Sequence, residues 1–185
     1  MLFSAGHVQQ DIPRAVARAA AEHGGMHIAQ AGHFGCQQEL LQLAHLRCRQ
    51  ALEGRAAVPE DETVLVMVGR GSRDALATAD MLQFAARHHA SAGVAETRAC
   101  FVAMAEPRLE PTLDALARAG YRRIVVQPHL LFHGLLLDRI AQQVARHADC
   151  YRRVEWIIAP HLGAHALVAE AIMRRATEVV WPAPA

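Results

Sequence analysis

A chain of 185 residues with 52% hydrophobic and 20% charged residues has room for one domain of ordinary size with a substantial core, which excludes disorder for its bulk. Nineteen basic against 18 acidic residues leave a net charge of +1, so no general electrostatic surface for nucleic acid or an anionic membrane is expected. Every basic residue is Arg and Asn is absent, which excludes Schiff-base lysine chemistry, a Walker-type phosphate lysine and a Cys-His-Asn triad.

Residues 1–54 carry two predicted helices, one after Leu2-Phe3, Gly6 and Asp11, the other after Ala31-Gly-His-Phe-Gly35. Residues 55–62, Arg-Ala-Ala-Val-Pro-Glu-Asp-Glu, have the composition of a linker. The β-branched run Thr63–Val68 then stops at Gly69-Arg-Gly-Ser72, the pattern of a buried parallel strand entering a turn. A helix follows, capped by Ser72, with Ala75, Ala79, Leu82 and Ala86 on its expected inner face. Next come a strand over 97–102 and a helix opened by Pro107, with Leu109, Leu113 and Leu116 on one face and a stop at Gly120. A strand over 122–126 leads to a helix bearing Leu137, Ile140, Ala141 and Val144. The last strand, 154–159, leads to a helix bearing Leu167, Val168, Ala171 and Ile172.

Four strands alternating with four helices predict an α/β fold, a parallel four-stranded sheet with helices on both faces and ligands at the carboxyl ends of its strands. The first motif of residues 1–54 answers Leu131-Phe132, Gly134 and Asp138, and the second answers Ala159-Pro-His-Leu-Gly163, at offsets of 127 to 129 residues. The predicted organisation is therefore the C-terminal part of a first unit in 1–54, a linker in 55–62, a complete second unit in 63–180 and a tail in 181–185. The edges left on the partial copy are expected to be covered by a homodimer partner or by a missing N-terminal segment.

Twelve His make any single one weak evidence of a site, so position has to discriminate. His7 stands in a turn before a helix, where a neutral imidazole serves as metal ligand or general base, or is simply a solvated loop residue. His129 and His133 follow the third strand and either approach a shared ligand from one loop or divide into one buried and one exposed ring. His33-x-x-Cys36 and His45-x-x-Cys48 have ligand types suited to zinc, although Cys48 also fits the buried face of a helix. His33 and His161 recur in the repeat as a capping and packing device. Gly69–Ser72, with Arg70, reads either as an anion cradle at a helix N-terminus or as a capped tight turn. Glu106 at the second strand end either binds metal or protons, or caps the helix after it. The four cysteines form no Cys-x-x-Cys pair and read as thiols of a reducing compartment; with no basic leader and no uninterrupted apolar span, a cytoplasmic protein away from membranes is expected.

Leu2-Phe-Ser-Ala-Gly-His-Val-Gln-Gln-Asp-Ile-Pro13, Val68-Gly-Arg-Gly-Ser-Arg-Asp74, Ala105-Glu-Pro107 and Arg122-Arg-Ile-Val-Val126, taken in order, resemble the sirohydrochlorin cobaltochelatases of the class II chelatase group in their long, internally duplicated form. The resemblance covers residues 1–53 and 63–180. It implies a chelatase-like fold and insertion of Co2+ into sirohydrochlorin during cobalamin synthesis without a nucleotide; the sister ferrochelatases take Fe2+, and Ni2+ is a further candidate metal. Of the family's two working histidines, the one in an Ala-Gly-His turn is matched by His7. The one in a Gly-His-Gly-Ser turn would precede Met1, and Arg70 stands at the corresponding place of the second half. The resemblance thus implies an N-terminally truncated chain that is a weak chelatase by itself.

Its site would use His7 as metal ligand and base and Glu106 as a second proton acceptor, with Arg70, Ser72, Arg73 and His133 holding a polycarboxylate tetrapyrrole. Competing readings are a non-catalytic tetrapyrrole- or metal-binding module and a phosphate- or nucleotide-binding α/β domain built on Gly69–Ser72.

Overall fold

The computed structural model describes residues 2, 3, 7–23 and 28–179, with residues 7 and 8 described for their backbone only. Strand β1 (Thr63–Gly69) is buried along its whole length, as is β3 (Arg123–Pro128), because each lies between two neighbours with helices above and below. Strands β2 (Glu96–Phe101) and β4 (Glu155–Ile158) form the edges, and the order is β2-β1-β3-β4 with every pairing parallel. The predicted parallel four-stranded sheet is thus present, with strand ends displaced by one or two residues.

Alternation along β1 divides the core in two. Leu65 and Met67 meet Leu40, Leu43 and Phe84 on one face, whereas Val64, Val66 and Val68 meet Leu109, Leu113 and Ile140 on the other. The first layer is built by α2 (Gln38–Leu52), α3 (Ala75–His89) and α6 (Ala166–Thr177), and the second by α4 (Leu109–Arg118) and α5 (Leu135–Cys150). The leucine stripe of α4 is buried as its spacing predicts, and Gly120 follows it at φ +93°.

Three expectations need correction. The buried face of α3 is Ala77, Met81, Phe84, Ala85 and His88, while Ala75, Ala79, Leu82 and Ala86 face outward. Alanine marks a helical face weakly, and the larger Met81 and Phe84 side chains gain more by burial. The cap of α3 is Asp74, whose carboxylate accepts from Leu76 N at 2.9 Å; Ser72 Oγ instead accepts from Asp74 N at 3.1 Å. Helix α4 begins at Leu109, because Pro107 O is taken up by Phe101 N at 2.9 Å, a bond that prolongs the sheet edge.

In residues 1–54, a π-helical turn (His7–Asp11) runs into α1 (Ile12–Glu22), and Leu2 O accepts from Gly35 N at 2.7 Å. Helices α2 and α6 start 128 residues apart, at Gln38 and Ala166, and pack against each other. Their arginines cross reciprocally: Arg47 donates to Leu162 O at 2.7 Å, and Arg175 donates to Phe34 O at 2.9 Å. Arg174 Nε adds a 2.7 Å bond to the buried Glu39. Among the described residues no helix is long and apolar enough to cross a membrane. The expected tail, 181–185, lies outside the described residues.

Candidate functional site

The carboxyl ends of β1, β2 and β3 open onto a cleft of about 580 Å³. This is where an open parallel sheet leaves room between its βα turns. Three backbone bonds carry the sheet pattern past the strands and set the walls: His129 N to Val68 O at 2.8 Å, Val102 N to Gly69 O at 3.0 Å and Ala103 N to Arg70 O at 3.0 Å. Gly71 sits at φ +89°, and a Cβ there would lie 1.7 Å from Ala103 O, so the two turns approach as closely as they do only because this residue is glycine. Met104, on the opposite turn, holds a left-handed φ of 59°.

The floor and sides are apolar: Phe3, Ala77, Met81, Phe101, Leu130 and Leu131, with Met104 and Phe132 at the mouth. Phe132 is 80% exposed, an unusual state for a phenyl ring in a folded protein. Polar groups are few. Arg70, Ser72 and Arg73 come from the turn before α3, and Gln10 and Asp11 from the end of the π-helical turn. Arg70 and Arg73 are exposed and have no ion-pair partner among the described residues.

The expected site residues divide accordingly. Arg70, Ser72 and Arg73 come together in the cleft. His7 opens the π-helical turn whose Gln10 and Asp11 line that cleft, but its side chain lies outside the described residues. Glu106 does not line the cleft: its carboxylate is exposed and accepts from Arg108 N at 2.9 Å and Arg108 Nε at 3.0 Å. His133 is exposed, 3.7 Å from Asp138 and with its ring 6.5 Å from that of His161. The His33/Cys36/His45/Cys48 group is not assembled. His33 pairs with Asp80 at 3.1 Å, His45 faces His88, and Cys48 is in the core, its thiol pushed up to about 11 by burial. Among the described residues no group of three or more His, Cys, Asp or Glu could hold a metal ion. Cys36, Cys48, Cys100 and Cys150 are all free thiols.

His129 is the buried one of its pair, at 2% exposure, with its ring stacked on Phe3 at 5.0 Å and 4.3 Å from Phe84. Burial, aided by His88, holds its pKa down to about 3. Below pH 6.5 the unfolded chain takes up a proton that the folded protein refuses, so stability present above pH 6.5 is lost as the pH falls. The loss is about 1.4 kcal/mol per pH unit, or about 2 kcal/mol at pH 5. Glu39 and Glu155, held below the ordinary carboxylate value, add their own loss only as the pH falls below that value. The urea midpoint is therefore expected to fall between pH 7 and 5, and the fall should be shallower in His129→Phe; equal falls would contradict this account.

Spacing alone did not reveal Met104, Phe132 or Asp11 as cleft residues. Asp11 was visible as a member of the repeat, but no periodicity marks a residue that becomes a wall only through tertiary folding.

The family model for CbiX matches residues 1–51 and 64–179. The chain belongs to the CbiX family. It is 22% identical over 178 residues to a sirohydrochlorin cobaltochelatase of Priestia megaterium, which spans 96% of this chain and 58% of that protein. It is 24% identical over 182 residues to a sirohydrochlorin ferrochelatase of Bacillus subtilis (strain 168), spanning 96% of this chain and 66% of that one. Its fold matches SirB from Bacillus subtilis with Fe3+ at a TM-score of 0.83, with 24% identity over 96% of this chain and 68% of that one. A CbiX of denitrifying bacteria, described as the terminal enzyme for biosynthesis of siroheme, matches at 0.66, with 20% identity over 94% and 72% of the two chains. The chain thus has the fold of the CbiX chelatases and spans about 58 to 66% of the length of these two curated relatives.

Proposed function

We propose that this chain takes part in the insertion of a divalent metal into a sirohydrochlorin-type tetrapyrrole, with Co2+ as the metal and Fe2+ as the alternative. The observation that carries the reading is the cleft itself: apolar walls suited to the faces of a macrocycle, and two guanidinium groups at the mouth suited to its carboxylates. Relatives named for cobalt and for iron insertion into sirohydrochlorin support the substrate class. Residues 1–54 are read as the C-terminal part of one half and 63–180 as the whole of a second, a reading supported by the reciprocal Arg47 and Arg175 bonds between them.

In this account Arg70 and Arg73 bind and orient the substrate, Ser72 holds the turn through its bond from Asp74 N, and the apolar floor excludes water from the macrocycle face. His7 would hold the incoming metal ion, and the ring nitrogen freed as the ion passes to the macrocycle accepts one pyrrole proton in exchange. His133 lies one residue beyond Phe132 and would meet a peripheral carboxylate. A part for Glu106 requires its carboxylate to leave Arg108. The phosphate-binding reading has less support, because the Asp74 carboxylate occupies the first turn of α3, where an anion would sit.

Absorbance titration with sirohydrochlorin tests the reading. Arg70→Ala and Arg73→Ala are each expected to weaken binding about tenfold, the worth of one charge-assisted hydrogen bond. Unchanged affinity in both variants, or binding of ATP in place of the tetrapyrrole, would overturn it.

A further inference from the structure

Between the sheet and the layer of α2 and α3, the core is interrupted by polar side chains that the cleft chemistry leaves unused. Gln127 projects from β3 on the same face as His129, two residues on, and its amide donates to Ala44 O of α2 at 2.6 Å. His88 stands on α3 one turn beyond Phe84, the residue whose ring lies 4.3 Å from His129. His45, next to Ala44, has its ring 6.0 Å from that of His88.

His129, His88 and Gln127 are each no more than 2% exposed. Both ring nitrogens of His129, together with Gln127 Oε1 and His45 Nδ1, have no hydrogen-bond partner among the described residues, and His88, which turns one ring nitrogen toward the Ala44 carbonyl, leaves the other unpaired. Five orphaned polar atoms in one core are far too costly to stay dry, and internal water is what satisfies such groups. Both ends of this file reach a cavity: His129 lines the cleft, while His88 and His45 line a second cavity of about 430 Å³ between α2 and α3.

We propose that His129, His88 and His45, with Gln127 among them, line a hydrated path that carries protons from the cleft to the cavity between α2 and α3. The function of this path rests on the proposed metal insertion. There one divalent ion replaces two pyrrole N–H protons, and those protons must leave an apolar cleft. Each imidazole takes a proton at one nitrogen and releases one from the other, then returns to its starting tautomer by proton exchange with the water of the path, so the file ends each transfer neutral and the two protons reach bulk water one after the other.

Two measurements test this. The first, independent of activity, is a high-resolution crystal structure of the full chain. Ordered waters are expected within hydrogen-bond reach of the His129 and His88 nitrogens, and a dry cluster overturns the path whether or not metal is inserted. The second is steady-state metal insertion with sirohydrochlorin and Co2+. His88→Gln, and His45→Gln at its less buried neighbour, are expected to lower kcat about tenfold or more with KM unchanged and to enlarge the solvent deuterium effect. Free imidazole is expected to restore part of the rate in His88→Ala. Unchanged kcat in both Gln variants overturns the path. If the wild-type chain binds tetrapyrrole but inserts no metal, the proposed function fails instead, and continuous or broken water between the two cavities then decides for or against the path.

Discussion

Gly71→Ala is expected to destabilise the protein by more than about 3 kcal/mol and to abolish tetrapyrrole binding, because two penalties coincide at this residue. Its φ of +89° lies in the left-handed region, and the new Cβ would fall 1.7 Å from Ala103 O and 2.9 Å from Ala103 C. Both are backbone atoms bonded into the turn that follows β2, so no side chain can swing aside. The turn bearing Arg70, Ser72 and Arg73 has to move, and with it the cationic mouth of the cleft. Gly120→Ala is the control. Its φ is +93°, but nothing lies within 4 Å of the added carbon, so only the left-handed penalty of about 1 to 2 kcal/mol is expected. Urea denaturation of the two variants compares them directly; equal losses would show that the contact with Ala103 is immaterial.

His7→Ala is expected to slow metal insertion by roughly a hundredfold to ten-thousandfold, the usual consequence of losing a positioned proton acceptor. The backbone of His7 begins the π-helical turn that delivers Gln10 and Asp11 to the cleft. Among the described lining residues, the carboxylate of Asp11 is the other group suited to bind an ion or take up a proton. Arg70 and Arg73 stay protonated and neither accept a proton nor bind a divalent ion. His129, its ring enclosed by Phe3 and Phe84, is kept neutral by burial at a pKa of about 3, so it can pass a proton on but not hold one. Insertion rates and cobalt affinity measured side by side for wild type and His7→Ala check this, and an unchanged rate would move the chemistry to another residue.

The sheet was legible in the sequence because parallel strands buried on both faces must be continuous apolar runs, as Thr63–Val68 is, and because each run ends in a turn signal. The leucine face of α4 was legible for a similar reason: Leu109, Leu113 and Leu116 are large enough to mark one side without ambiguity. The face of α3 was not. Its alanines fall on both sides, and the decisive residues, Met81, Phe84 and His88, include a histidine that a periodicity argument counts as polar. The cap of that helix was misplaced by two residues because Ser72 and Asp74 are both good capping types, and only the backbone path selects Asp74. In the candidate site, the turn with Arg70, Ser72 and Arg73 was readable from its place at a strand end. The walls supplied by Phe3, Met104 and Phe132 come from three separate segments, and their meeting depends on tertiary structure. The same limit applies to His88 and His45, whose proximity across α3 and α2 has no counterpart in spacing.

The most direct test of the central claim is anaerobic metal insertion into sirohydrochlorin by the 185-residue chain, followed through loss of the free-base absorption, with Co2+ and Fe2+ in parallel and a protein-free control for each. The account predicts insertion faster than the control with at least one of the two metals, and a return to the control rate in Arg70→Ala/Arg73→Ala at low substrate concentration. A rate equal to the protein-free control for both metals, together with no binding of the macrocycle, would contradict it.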